Sequence, residues 1–176
     1  MRIRIATSQD RDDVREVYLS AFPENEREIV SKLAINLLSE ETTPQTIPLV
    51  AEIEGAVVGQ VSFSPVTIDK NVNLLGYILA PLGVKPDYQK RLIGSKLIED
   101  GMKKLKKAGV NILFVYGDPE YYNRFGFSAD AACRYIAPYK LQTPFGWQAT
   151  VLNKFSTAES TVKLTCVTSL CDPELW

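Results

Sequence analysis

A chain of 176 residues that is 45% hydrophobic suffices for one domain with a sizeable core, and its 20 basic and 21 acidic side chains leave a net charge of −1, with no general basic field for nucleic acid. It contains no histidine, which excludes Ser-His-Asp and Cys-His nucleophiles, HExxH zinc chemistry and histidine-bound metals together. No apolar run reaches the ~20 residues that cross a bilayer, and the charged start MRIRIATSQDRDD lacks the apolar stretch of a secretory signal, so a cytoplasmic protein without a membrane partner is expected.

Arg2 to Ala6 alternates charged and apolar residues, the pattern of a half-buried strand. Ser8 stands where an N-cap belongs, before a helix through Val14, Val17, Tyr18 and Ala21 that ends near Pro23. From Asn25 to Ser39 the apolar set Ile29, Val30, Leu33, Ala34, Leu37 and Leu38 recurs at helical spacing and predicts an amphipathic helix. The polar stretch Glu40 to Pro48 reads as a loop, and Leu49 to Ile53 and Ala56 to Val66 read as a hairpin turning at Glu54 and Gly55. A second turn, Asp69 to Asn73, leads into an apolar strand ending at Val84. Pro81 inside that strand has no N–H to give a ladder, which implies a bulge or a local opening of the sheet.

Gly94 and Ser95 then open a helix with apolar residues at Leu97, Ile98, Met102, Leu105 and Ala108. Gly109 closes it, and Asn111 to Tyr116 follows as a buried strand, giving a parallel strand-helix-strand unit. A short helix runs from Pro119 through Arg124, and Phe127 starts a further strand. Ala131 to Gly146 has weak periodicity, and Trp147 to Leu152 and Val162 to Val167 read as the last strands.

The turn between Val84 and that helix carries Lys85, Asp87, Gln89, Lys90 and Arg91. Free N–H groups at a helix start, at the positive end of the macrodipole, bind anions, and the two cations beside them sharpen the case. An ordinary solvated connection uses the same residue types. The three cysteines, Cys133, Cys166 and Cys171, are odd in number and lack a CxxC pair, which argues against a disulfide framework and a zinc site; no metal is expected.

Gln89, Lys90, Arg91, Leu92, Ile93, Gly94 and Ser95 resemble the Q/R-x-x-G-x-G/A pyrophosphate loop of the GCN5-related N-acetyltransferases, with Leu92 in place of the first glycine. GDPEYYNRFGF, Gly117 to Phe127, resembles that superfamily's second hallmark, a short helix carrying tyrosine before a G-F pair. The two in this order are more specific than either alone. With APLGVKPDYQ and EREIVSKL, the chain is most similar to the YhbS-like branch, over roughly Arg2 to Leu152.

The resemblance implies an α/β fold: a mixed, strongly twisted sheet with helices on both sides and a V-shaped opening between the strands ending at Val84 and Tyr116, into which acetyl-coenzyme A (acetyl-CoA) inserts. Residues 1–152 would form this domain and 153–176 a C-terminal extension packed on it. By position, backbone N–H groups from Lys90 to Ser95 would bind the pyrophosphate, with Gln89 and Arg91 as side-chain helpers. Leu82, Gly83 and Val84 would pair with the pantetheine arm, and the Leu82 N–H would polarise the thioester carbonyl. Tyr122 aligns with the tyrosine that protonates the leaving thiolate, and Tyr121 with packing or a substrate wall. Each also has a plain role: Gln89 to Ser95 in a solvated connection, Leu82 to Val84 in a core strand, and Tyr121 and Tyr122 in packing a helix against the sheet.

The implied reaction is direct acetyl transfer to a primary amine, small-molecule or peptide, in a ternary complex, by a monomer or homodimer. The strand Tyr77 to Val84 lacks the carboxylate that many relatives use as a base, and Asp118, Glu120, Glu26 and Glu28 read first as solvated charges. Nothing beside Cys133 activates it. The competing expectation is a catalytically silent CoA-binding interaction or sensory module, favoured by Leu92 and the missing strand carboxylate.

Overall fold

The computed structural model describes residues 1–68, 74–156 and 160–176, so the turn expected at Asp69 to Asn73 lies outside the described residues. The fold is mixed α/β, an open eight-stranded sheet with flanking helices. Residues group into two compact units: 1–63 with 80–101, and 64–79 with 102–176.

In the first unit, β1 (Arg2–Ile5), β2 (Ile47–Ile53) and the first part of β3 (Ala56–Ile68) pair antiparallel. Glu54 and Gly55 turn the β2–β3 hairpin with φ of +52° and +82°, the left-handed pair that a two-residue turn requires. α1 (Arg11–Ala21) and α2 (Arg27–Ser39) supply the apolar stripes read from the sequence. Val14, Val17, Tyr18 and Ala34 bury against Ala6, Val50 and Val57, with Phe22, Val30 and Leu38 at the margin.

The start of α1 differs from the expected Ser8 cap. Thr7 takes that place, ahead of a 3₁₀ turn, Ser8–Asp10, and the Asp10 carboxylate accepts from the Thr7 N–H at 2.7 Å and from its hydroxyl at 3.1 Å. Arg4 ties the same carboxylate into the sheet, with 2.7 and 2.8 Å bonds to Asp10 and a 2.9 Å bond to Glu52. A carboxylate reaching back three residues satisfies two donors at once, which a serine hydroxyl at position 8 cannot do.

The second unit holds the parallel pairing of β4 (Gly76–Val84) with β5 (Ile112–Tyr116), from Gly76↔Ile112 to Leu79↔Val115. β5 pairs antiparallel with β7 (Trp147–Val151), the end of β3 with β8 (Val162–Cys166), and β6 (Tyr135–Ile136) runs parallel to β8. Phe114 stacks on Trp147 at 5.3 Å and meets Tyr135 edge-on at 5.1 Å, an aromatic core that Trp176 joins 6.1 Å from Trp147. Residues 160–176 thus lie within this unit.

After the short helix α4 (Pro119–Tyr122), the strand expected from Phe127 is absent. Gly126, at φ +84°, turns the chain, Ser128 makes a single bridge to Ala149, and Ser128 then caps one helical turn, α5 (Ala129–Ala132), by accepting from the Ala131 N–H at 3.2 Å. A serine at the N-cap competes with extended pairing and wins where its hydroxyl finds a helical donor.

Candidate active site

β4 carries the first group of candidates. Its registered pairs with β5 end at Leu79, and its last five residues, Ala80 to Val84, belong to the first unit. Pro81 sits at this change and supplies no N–H, as the sequence implied. Leu82 and Val84 are half-buried, while Gly83 is buried against α1: a Cβ there would lie 2.9 Å from the Tyr18 ring. The Lys85 N–H donates to the Val58 carbonyl at 2.9 Å, fixing the strand end on β3, and the Lys85 ammonium meets Glu16 at 2.9 Å.

The next turn delivers the chain to α3 (Ile93–Lys107), which starts at Ile93, one residue before the expected Gly94. The Lys96 N–H donates to the Leu92 carbonyl at 3.0 Å, so Leu92 occupies the N-cap with a side chain that cannot cap. Ile93, Gly94 and Ser95 therefore present first-turn N–H groups for which a helix has no internal acceptor. The first turn holds no acidic residue, which leaves the positive end of the macrodipole uncompensated, while Lys104, Lys106 and Lys107 crowd the last turn and complement its negative end.

Ahead of the helix, Lys90 and Leu92 both take φ of +60°. Gln89 is committed to the loop itself, its amide donating to the Val84 carbonyl at 3.0 Å, and the Arg91 guanidinium lies 5.4 Å from the Tyr88 ring. Backbone donors, a helix start and exposed cations fit a diphosphate by their chemistry. All of Leu82 to Val84 and Gln89 to Ser95 fall in the first unit.

Tyr122 lies in the second unit. Asp118 caps α4 by accepting from the Glu120 N–H at 2.9 Å, and the Tyr122 N–H closes the turn on the Asp118 carbonyl at 3.1 Å. The Tyr122 ring meets Tyr121 edge-on at 5.1 Å and Phe127 at 5.8 Å. Burial above all, with Tyr121 and Asp118 nearby, pushes its phenol well above the ordinary value, which favours the neutral form and makes it a weaker acid. Tyr121 also carries the Arg124 guanidinium 4.5 Å from its ring.

Asp118, Glu120, Glu26 and Glu28 are exposed, and Asp118 is occupied as a cap. Cys133 is exposed; Cys166 and Cys171 are not disulfide-bonded, with their sulfurs 3.7 Å apart. Among the described residues no group of three His, Cys, Asp or Glu side chains could hold a metal, and no helix is long and apolar enough to cross a membrane.

Two features escaped the sequence reading. One is a buried polar chain in the first unit: the Tyr18 hydroxyl contacts both the carbonyl and the side-chain oxygen of Gln60, whose amide nitrogen donates to Ser62 at 2.8 Å. Polar residues two apart on β3 were the available signal, but they sit in an apolar run that reads as core. The other is Gly117, which bears directly on Tyr122.

The mixed α/β fold is that of the GNAT acetyltransferases. The chain belongs to the GCN5-related N-acetyltransferase family: residues 2–129 match the model of its acetyltransferase (GNAT) domain. The family uses acetyl-CoA as acyl donor and acts on amine acceptors.

Among relatives, Escherichia coli K12 YjhQ, described as an uncharacterized N-acetyltransferase, is 35% identical over 139 residues, 78% of this chain and 75% of that protein. E. coli K12 YhbS, described in the same way, is 35% identical over 96 residues, 51% of this chain and 56% of its own. The crystal structure of E. coli YhbS in complex with CoA superposes with a TM-score of 0.81, covering 96% of this chain and 90% of that one at 24% identity, a likeness of fold. A GNAT-family acetyltransferase from Brucella melitensis in complex with acetyl-CoA gives 0.67 at 29% identity, covering 96% of both chains.

Proposed function

We propose that this chain transfers an acetyl group from acetyl-CoA to a primary amine, directly and in a ternary complex, as a monomer or homodimer in the cytoplasm. The observation that carries the reading is the start of α3, which has no capping side chain and no acid in its first turn, and follows a loop with exposed cations. When bound, acetyl-CoA supplies the activated thioester. Lys90 to Ser95 hold its pyrophosphate through their N–H groups, with Arg91 beside them and Gln89 bracing the loop on Val84.

Leu82, Gly83 and Val84 pair their backbone with the pantetheine arm, and the Leu82 N–H stabilises the negative charge that develops on the thioester oxygen. Tyr122 gives its phenolic proton to the departing sulfur as negative charge develops there. β4 offers no carboxylate to take a proton from the acceptor, and capture of the acceptor as the free amine would suffice without one.

The test is acetyl-CoA titration with thiol release across a panel of primary amines. Thermal protection, slowed exchange of the amides from Lys85 to Lys96 and amine-dependent thiol release are expected. No protection at saturating acetyl-CoA would overturn the cofactor assignment. Protection without thiol release from any amine favours the second reading, a silent CoA-binding module, which Leu92 at the N-cap and the carboxylate-free β4 support.

A further inference from the structure

Tyr122 does not hold its ring in place alone. A Cβ built on Gly117 would lie 2.5 Å from Cε2 of that ring and 3.1 Å from Cδ2, so the tyrosine occupies the volume that any other residue at 117 would fill. Gly117 also cannot retreat. Its N–H donates to the Gly146 carbonyl at 3.0 Å, and its own carbonyl accepts from the side-chain amide of Gln148 at 3.3 Å.

Gly146 closes on the same place, with a Cβ there only 3.0 Å from the Gly117 carbonyl oxygen. Gln148 is 1% exposed, and its amide nitrogen reaches a second carbonyl, Gly146, at 3.4 Å, so carbonyls on that side fix which way the amide faces. Its oxygen, turned the other way, has no partner among the described residues.

We propose that Gly117, locked by Gly146 and Gln148, is the positioning residue for Tyr122: its missing side chain sets where the phenol oxygen stands in the transfer step. The inference rests on the reading of Tyr122 as proton donor. A methyl group at 117 meets a backbone that cannot yield, so the ring must move by about 1 Å to regain van der Waals contact, and a misplacement of that size costs up to about 10²-fold in rate.

The experiment is a double-mutant cycle of Gly117→Ala and Tyr122→Phe. It reads single-turnover thiol release from acetyl-CoA with the fastest primary amine of a panel, CoA affinity by calorimetry, unfolding midpoints, and the ¹³C ring signal of Tyr122, assigned by its loss in Tyr122→Phe. Gly117→Ala is expected to slow the step by about 10- to 10²-fold, to shift the Tyr122 signal, to leave CoA affinity within about threefold, and to cause no further loss once Tyr122 is Phe.

Equal losses in both backgrounds, or no loss, overturn the proposal while leaving Tyr122 as donor. An unchanged rate in Tyr122→Phe itself overturns the donor reading, and the positioning role falls with it. Should Gly117→Ala fail to fold, Gln148→Leu releases the Gly117 carbonyl and enters the same cycle. A smaller loss that vanishes in the Tyr122→Phe background supports the proposal, and a loss that persists there sinks it.

Discussion

Leu92 holds a left-handed backbone with its side chain 63% exposed, so it bears conformational cost with little packing in return. The left-handed region costs a side-chain-bearing residue about 1–2 kcal/mol, and glycine's greater freedom in the unfolded chain takes back roughly 0.5–1 kcal/mol. Leu92→Gly is therefore expected to unfold at an equal or higher denaturant midpoint, with a gain of up to about 1 kcal/mol, and to bind CoA at least as tightly. A lower midpoint or weaker binding by calorimetry would show that the Leu92 side chain contributes to the site. The sequence exposed the departure, a leucine where the family pattern has glycine. It did not expose the sign of φ, which depends on how the end of β4 and the start of α3 are joined. The second motif named Tyr122, but Gly117 was visible only as its first letter, and the proposed role lies in the space it leaves. Tyr122→Phe removes the hydroxyl of the proposed proton donor and keeps the ring, so it is expected to retain CoA binding and to lower single-turnover acetyl transfer by about 10² to 10⁴; an unchanged rate would reduce Tyr122 to packing.

The group Arg4, Asp10 and Glu52 joins β1 and the turn before α1, which are neighbours in sequence, to β2, 48 residues beyond Arg4. The bonds from Arg4 hold the Asp10 carboxyl at about 2, below its ordinary 3.8, against the opposing effect of burial. Because the folded value is the lower one, the contribution is complete above about pH 4 and is lost as the pH falls through the folded value near 2. Asp10→Asn is expected to cost about 2 kcal/mol at pH 7, and its deficit against wild type should shrink between about pH 4 and 2. Urea unfolding at both ends of that window checks it; a pH-independent deficit would assign the loss to packing rather than charge. The helices, the hairpin and the parallel β4-α3-β5 unit were legible because each repeats its apolar spacing over several turns or strand pairs. The start of α1 and the segment after Phe127 were not. There the outcome depends on one capping side chain, Asp10 reaching back to Thr7 and Ser128 reaching forward to Ala131, and short apolar runs carry no period that distinguishes strand from turn.

For the whole molecule, the absence of histidine excluded histidine-dependent chemistry and the near-zero net charge gave no general basic field to suggest a polyanionic partner, while the acid and base were left open among carboxylate, Tyr, Lys and Cys until the motifs pointed to Tyr122. What they could not give is the acceptor, because the loops that meet it vary independently of the donor site. The donor assignment has a consequence that needs no acceptor. A ligand that binds only the folded chain adds stability by mass action, about 2.7 kcal/mol at 100 times its dissociation constant, whatever the later chemistry. Acetyl-CoA and CoA should therefore both raise the unfolding midpoint, because the pyrophosphate that α3 is proposed to hold is common to them. Pantetheine, which lacks that group together with the nucleotide, should raise it far less at equal concentration. Equal stabilisation by pantetheine would place the binding energy on the arm and β4, and would remove the helix start from the centre of the reading. Stabilisation by free pyrophosphate alone, abolished when salt is raised and weakened by Arg91→Ala, would confirm that the anion site stands without the rest of the cofactor.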